Sequence, residues 1–159
     1  MTTTLTAAKL TVTITESINL NGIQQGGTNT KTISSIAEIY KRIMTITTNE
    51  ATIVTMSGAV ASAGHYTAAD VRYIRFTNLD TTNFVTLTFR NQDNDEVAIK
   101  LDAGNSLLLN ADNSGGMVAM FNATQDADAA SDTALGSITN IQADANTGNC
   151  DLEVFIAST

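Results

Sequence analysis

Apolar and polar residues alternate with a period of two along most of this chain. Leu10, Val12 and Ile14 interleave with Thr11, Thr13 and Thr15, the signature of a strand with one face toward a core. The same alternation sets Ile74 and Phe76 opposite Tyr73 and Arg75. It places Val85, Leu87 and Phe89 on one face, then Val97, Ile99 and Leu101, then Leu107 and Leu109, and finally Leu152, Val154 and Ile156. Thr52 to Met56 reads as a short strand, and Met117 to Phe121 as another. Clusters of Asn, Asp and Gly punctuate these runs at 91–94, 102–105, 112–116 and 146–149, where such residues favour turns.

Two stretches read differently. Residues 19–30, with Gly22, Gly26 and Gly27, are expected to form a flexible loop between an N-terminal ribbon and the body. Residues 34–44 fit two descriptions. Ile36, Ile39, Tyr40 and Ile43 have helical spacing, and Ser35 with Glu38 resembles a capping box. Read as a strand, Tyr40, Arg42, Met44 and Ile46 share a face. The β-like run Ile43–Thr47 favours the strand, but local pattern does not separate the two.

About eight to ten short strands without βαβ spacing predict an all-β fold. The expectation is an antiparallel β-sandwich of jelly-roll type. Residues 1–30 would form an N-terminal extended arm and glycine-rich loop, and residues 31–159 the sandwich body. A chain of 159 residues is long enough to bury a core without disulfide or metal staples.

Composition sharpens this picture. There are 26 Thr, no Trp and no Pro, and only 15% of residues are charged. Threonine is β-branched and suits pleated surfaces. A surface built from uncharged polar groups can pack against neighbours without stripping water from many ions. The net charge of −8 disfavours non-specific attachment to nucleic acid or anionic lipid. No apolar run approaches the roughly 18 residues of a membrane span. The Thr-rich first residues lack the basic and apolar segments of a secretory signal, so synthesis in a reducing cytoplasm is expected.

Candidate chemistry is sparse. His65 is the only histidine and Cys150 the only cysteine, which removes the usual zinc and copper ligand sets. Ser57 and Ser62 lie near His65 in sequence, but no nucleophile elbow accompanies them. Cys150 opens an apolar run and reads as a small core residue. Asp126, Asp128 and Asp132 supply three carboxylates within a short stretch, a possible calcium loop, although the EF-hand glycine and terminal glutamate are missing. Asp93, Asp95 and Glu96 sit at an expected hairpin tip. The interleaved Arg72, Tyr73, Arg75 and Phe76 could suggest a stacking platform for single-stranded nucleic acid, but a strand explains the alternation. With no Trp, sugar platforms for a glycosidase are scarce. No enzyme activity, cofactor, metal or nucleic-acid partner is expected.

The run Val71-Arg72-Tyr73-Ile74-Arg75-Phe76-Thr77-Asn78-Leu79-Asp80 leads into Phe84-Val85-Thr86-Leu87-Thr88-Phe89. Leu101-Asp102-Ala103-Gly104-Asn105-Ser106-Leu107-Leu108-Leu109 follows, and Asp151-Leu152-Glu153-Val154-Phe155-Ile156-Ala157 closes the series. This order resembles the small β-sandwich virion proteins of tailed bacteriophages, among them capsid decoration (cement) and head–tail accessory subunits. The resemblance covers residues 70–159. It implies a virion location, repeated copies with a trimer favoured, contact with a major capsid protein, and no catalysis. An alternative is a receptor- or carbohydrate-binding β-sandwich of a fibre tip or adhesin. The subunit interface is expected in the polar start and first strand, at Thr2, Thr3, Thr4, Leu5, Leu10, Val12 and Ile14. An uncharged strand there is a template for pairing with another chain.

Overall fold

A computed structural model describes residues 6–57, 64–111, 115–121 and 138–159. The chain folds as an all-β sandwich with an additional β-ribbon on one outer face. The first sheet contains β6 (Ala51–Ser57), β7 (His65–Thr67), β9 (Val85–Asn91), β10 (Glu96–Leu101) and β12 (Ile138–Ala145), in the order β10-β9-β12-β6-β7. The second contains β5 (Glu38–Ile46), β8 (Val71–Asn78), β11 (Ser106–Asn110) and β13 (Cys150–Ser158), in the order β11-β8-β13-β5. Their pairings are antiparallel except β6 with β7, which run parallel.

The core lies between these sheets. Ile74 and Phe76 from β8, Val85, Leu87 and Phe89 from β9, Ile141 from β12, and Leu152, Val154 and Ile156 from β13 are fully buried. For all of these but Ile141, the spacing of two seen in the sequence is the pleat itself, which sends every second side chain inward. Phe76 and Phe89 meet edge to face across the sheets, with ring centroids 6.2 Å apart, an arrangement favoured by the ring quadrupole.

One end of the sandwich is closed by a helix, α1 (Gly116–Phe121). Sequence alternation predicts a strand here, and the structure corrects it. Met117 is buried in the main core, and Phe121 tilts against Phe89 at 5.7 Å. The helix sits so close to the chain before β8 that Gly116 leaves no room for a side chain. A Cβ there would lie 2.4 Å from the Ala69 carbonyl oxygen, and φ is +54°. Glycine alone meets both demands without strain.

At the far end of β8, buried Asn78 ties three segments together. Its amide donates to the carbonyls of Asn83 (2.9 Å) and Leu101 (3.1 Å), and its oxygen accepts from the Asp80 backbone N–H at 3.0 Å. Asp80 in turn accepts from the backbone N–H groups of Thr82 and Asn83, each at 2.7 Å. These bonds to the ionised form hold the Asp80 carboxyl below its ordinary pKa.

The N-terminal ribbon pairs β1 (Ala8–Thr15) with β4 (Thr28–Ile36), so the expected division after residue 30 falls inside β4. Between them, the segment expected as a flexible loop is an ordered hairpin end. β2 (Asn19–Leu20) pairs with β3 (Ile23–Gln24) around Asn21 and Gly22, at φ +52° and +82°. Two left-handed residues in succession make the type I′ turn that Asn-Gly favours.

Residues 34–44 adopt the strand alternative, divided between β4 and β5. Ser35 has φ +63°, and the β1–β4 register shifts at this point. The resulting bulge turns both Ile33 and Ile36 inward although they are three residues apart. It also turns the chain from the ribbon into the second sheet, where the Ala37 N–H donates to the Ser158 carbonyl at 2.9 Å.

Candidate functional site

The outer face of the second sheet carries the ribbon. Cross-strand registers set out three rows on this face. Ile39, Ala157, Tyr73 and Asn110 form one; Lys41, Phe155, Arg75 and Leu108 the next; Ile43, Glu153, Thr77 and Ser106 the third. The ribbon packs Leu10, Val12, Ile33 and Ile36 onto Tyr73, Phe155, Ala157 and Leu108. This second cluster buries Tyr73, which the sequence places on an outward face. Tyr73 meets the Phe155 ring edge to face at 5.9 Å.

A cleft of about 480 Å³ opens beside this contact, between β1 and the sheet. On its sheet side, Glu153 accepts from both Lys41 (3.1 Å) and Arg75. The Arg75 guanidinium also stands over the Phe155 ring, 5.9 Å from its centroid. Hydrogen bonding to Lys41 comes first among the causes that hold the Glu153 carboxyl below its ordinary range; the charges of Lys41 and Arg75 add to it against partial desolvation. The cleft therefore sets an aromatic wall beside two cations that share one carboxylate, a group with one positive charge in excess. It can seat a chain segment; it brings no nucleophile beside a base.

The other candidates are placed as follows. Cys150 is buried, with its thiol pushed up by desolvation and by the carboxylates of Asp80 and Asp151, which leaves it a poor nucleophile. His65 lies exposed on β7. Ser57 ends β6, and Ser62 lies outside the described residues. Asp95 takes the Asn91 amide at 3.0 Å, and Glu96 binds Arg90 at 2.6 Å, so two of the three hairpin carboxylates are engaged in shaping the β9–β10 turn. Asp126, Asp128 and Asp132 lie outside the described residues. Among the described residues no three His, Cys, Asp or Glu side chains cluster as a metal site, and no helix is long and apolar enough to cross a membrane. The aromatic-basic interleave at 72–76 is accounted for: Tyr73 is covered, Arg75 is held by Glu153, and Arg72 donates to the Ala69 carbonyl (3.1 Å) and the Thr159 hydroxyl (3.3 Å).

Of the residues expected at an interface, Thr2, Thr3, Thr4 and Leu5 lie outside the described residues. Leu10 and Val12 face this chain's own sheet. Ile14 is exposed, and it lies in an exposed stretch that runs from Thr13 to Gln25. Ile18, Leu20 and Ile23 lie within it, each more than half exposed. The hairpin end thus stands clear of the body and carries bare apolar side chains. Alternation pointed to β1 but not to these three; the Asn-Gly turn flanked by Leu20 and Ile23 was the available signal. No family model, no curated protein and no solved structure matches the chain.

Proposed function

We propose that this chain is a non-enzymatic structural subunit of a viral particle, a capsid-associated decoration protein that reinforces the shell through subunit contacts. One observation carries the reading: the projecting hairpin end with Ile14, Ile18, Leu20 and Ile23 exposed. Isolated apolar residues on a surface are ordinary, but four on one projecting ribbon are not needed by this fold. The root of the ribbon is fastened by its own apolar cluster, so the outer half is held out ready-made rather than ordered on contact. Pre-organisation of this kind lowers the entropic cost of binding. The low charge density of the chain suits a surface covered by neighbours. Its partners in this reading are copies of itself and a major capsid protein, and its place is the virion.

Mass spectrometry of particles purified from cells carrying the gene tests the proposal. The chain is expected in purified particles, in numbers comparable with the shell protein. A variant with residues 17–25 replaced by a two-residue Asn-Gly turn should remain folded and be lost from the particles. Absence of the unaltered chain from particles, or retention of the shortened variant at full occupancy, overturns the reading.

A further inference from the structure

Among the described residues the two sheets have four edge strands, β10, β7, β11 and β5, and they differ. β7 has three residues and β11 five. β10 is capped by charge, with Glu96 bound to Arg90 and Lys100 to Asp102. β5 has nine residues, contains no proline, and among the described residues pairs only with β13. It is the longest open hydrogen-bonding edge of the two sheets. Its outward row is also the most apolar: Ile39 is 60% and Ile43 55% exposed, flanking Lys41.

This row reads the same in both directions. Isoleucine, lysine, isoleucine, at positions 39, 41 and 43, is symmetric about Lys41. We infer that β5 of one copy pairs antiparallel with β5 of a second copy, about a two-fold axis at Lys41, joining two four-stranded sheets into one of eight strands. An interface of this type requires a self-complementary patch, and the register centred on Lys41 supplies one. Each Ile39 then faces the Ile43 of the other copy, so all four exposed isoleucines meet in cross-strand pairs. On the opposite face each Tyr40 lies across from an Arg42, a cation–aromatic pair. Glu38 falls diagonally beside the same Arg42, within reach of a long side chain.

The register places the two Lys41 side chains opposite each other, which alone would be unfavourable. Each ammonium has a carboxylate 3.1 Å away in Glu153 of its own chain, shared with Arg75, which offsets part of the repulsion between the two Lys41 side chains. Lysine on an edge strand commonly discourages pairing; here its charge is drawn inward along the sheet. A second copy is favoured over an unrelated strand because only the same sequence presents the matching spacing on both sides. The inference concerns self-association and does not rest on the particle role proposed above.

Sedimentation velocity of the full chain, over micromolar to millimolar concentrations, should show a monomer–dimer equilibrium. Ile39→Thr with Ile43→Thr keeps two β-branched residues and should raise the dimer dissociation constant by roughly tenfold or more. Cross-linking then fixes the register, since Cys150 is buried and unreactive. Lys41→Cys should cross-link to itself with a short bis-maleimide. Ile39→Cys should not, because its two copies would lie about 13 Å apart along the strand. A mixture of Ile39→Cys with Ile43→Cys should cross-link across the pair. Circular dichroism confirms that each variant is folded. A chain that stays monomeric throughout overturns the inference. So does an oligomer, such as a trimer, that is indifferent to the Ile39 and Ile43 substitutions, or one in which Ile39→Cys links to itself.

Discussion

Between the sheets, Phe76, Phe89, Leu87 and Leu152 are sealed from water on every side. Under the ribbon, Ile33, Ile36, Tyr73 and Ala157 are buried too, but Leu10, Val12, Leu108 and Phe155 around them are only partly covered. The first cluster is built by strands from both sheets, so no single segment can leave without dissolving it. The second is closed by one ribbon joined to the body through Ile36 and Ala37. The same side-chain chemistry thus serves two purposes. One cluster defines the fold, whereas the other holds an appendage in position. Cooperative units of different stability within one domain are the expected result.

The largest test of this contrast is Phe89→Ala. Removing a fully buried ring that touches both Phe76 and Phe121 should cost about 3–5 kcal/mol, through lost transfer energy and a cavity. The whole molecule should lose stability together, with near-ultraviolet and far-ultraviolet signals melting at one lowered temperature. Ile33→Ala should behave differently. Its cost should be about 2 kcal/mol, the low end for a buried isoleucine, because the half-open site can collapse. Amide exchange should quicken in β1 and β4 while β8, β9 and β13 stay protected. If Ile33→Ala instead accelerates exchange throughout, the two clusters are one unit and the comparison fails.

Glu153→Gln comes next, at about 1 kcal/mol, because the ion triplet stands partly in solvent. It leaves Lys41 and Arg75 without their carboxylate. Its effect should also depend on pH. The folded-state pKa of Glu153 is lowered, so its stabilisation is present above the ordinary carboxylate value, about 4, and is lost as pH falls through the folded value. Asp80 follows the same sign. The unaltered chain should therefore melt earlier on acidification below about pH 4, and Glu153→Gln should flatten part of that slope. An identical slope in the variant would remove the triplet from the account. The smallest effect is expected at Thr30, whose hydroxyl lies 3.2 Å from that of Thr13 on the exposed side of the ribbon. Thr30→Ala should shift stability by no more than about 0.5 kcal/mol.

The same division separates what the sequence discloses from what it conceals. Val85, Leu87 and Phe89 announce their burial because one strand in a two-layer sandwich has one wet and one dry face. Tyr73 breaks that rule. Its outward face is dry only because a ribbon some forty residues earlier in the chain folds back over it, and no local pattern carries that information. Ile33 and Ile36 are buried three residues apart because a bulge at Ser35 adds a residue to the strand, which breaks the period of two that a strand would otherwise show. Met117 to Phe121 could be a strand or a helix by apolar content alone, and the tight approach at Gly116 decides the matter in three dimensions. The β5 edge was legible only in part. The strand could be read, but its position at the margin of a sheet is a property of topology. The turn at Asn21-Gly22 was missed: Gly22, Gly26 and Gly27 together read as a flexible loop, and the short pairing of β2 with β3 shows only in the structure.

The position of β13 has a consequence for how the chain comes into being. This strand, Cys150–Ser158, lies between β5 and β8 and hydrogen-bonds to both. Both neighbours leave the ribosome long before it does. Until residue 158 has cleared the exit tunnel, the second sheet is two separate halves with a missing centre, and the ribbon has no Phe155 or Ala157 to settle on. Nascent chains must therefore wait with strand edges unpaired, in the state most vulnerable to joining the wrong partner. The second sheet therefore closes in one step, when β13 is added, rather than strand by strand. Slowing translation should therefore increase misassembly.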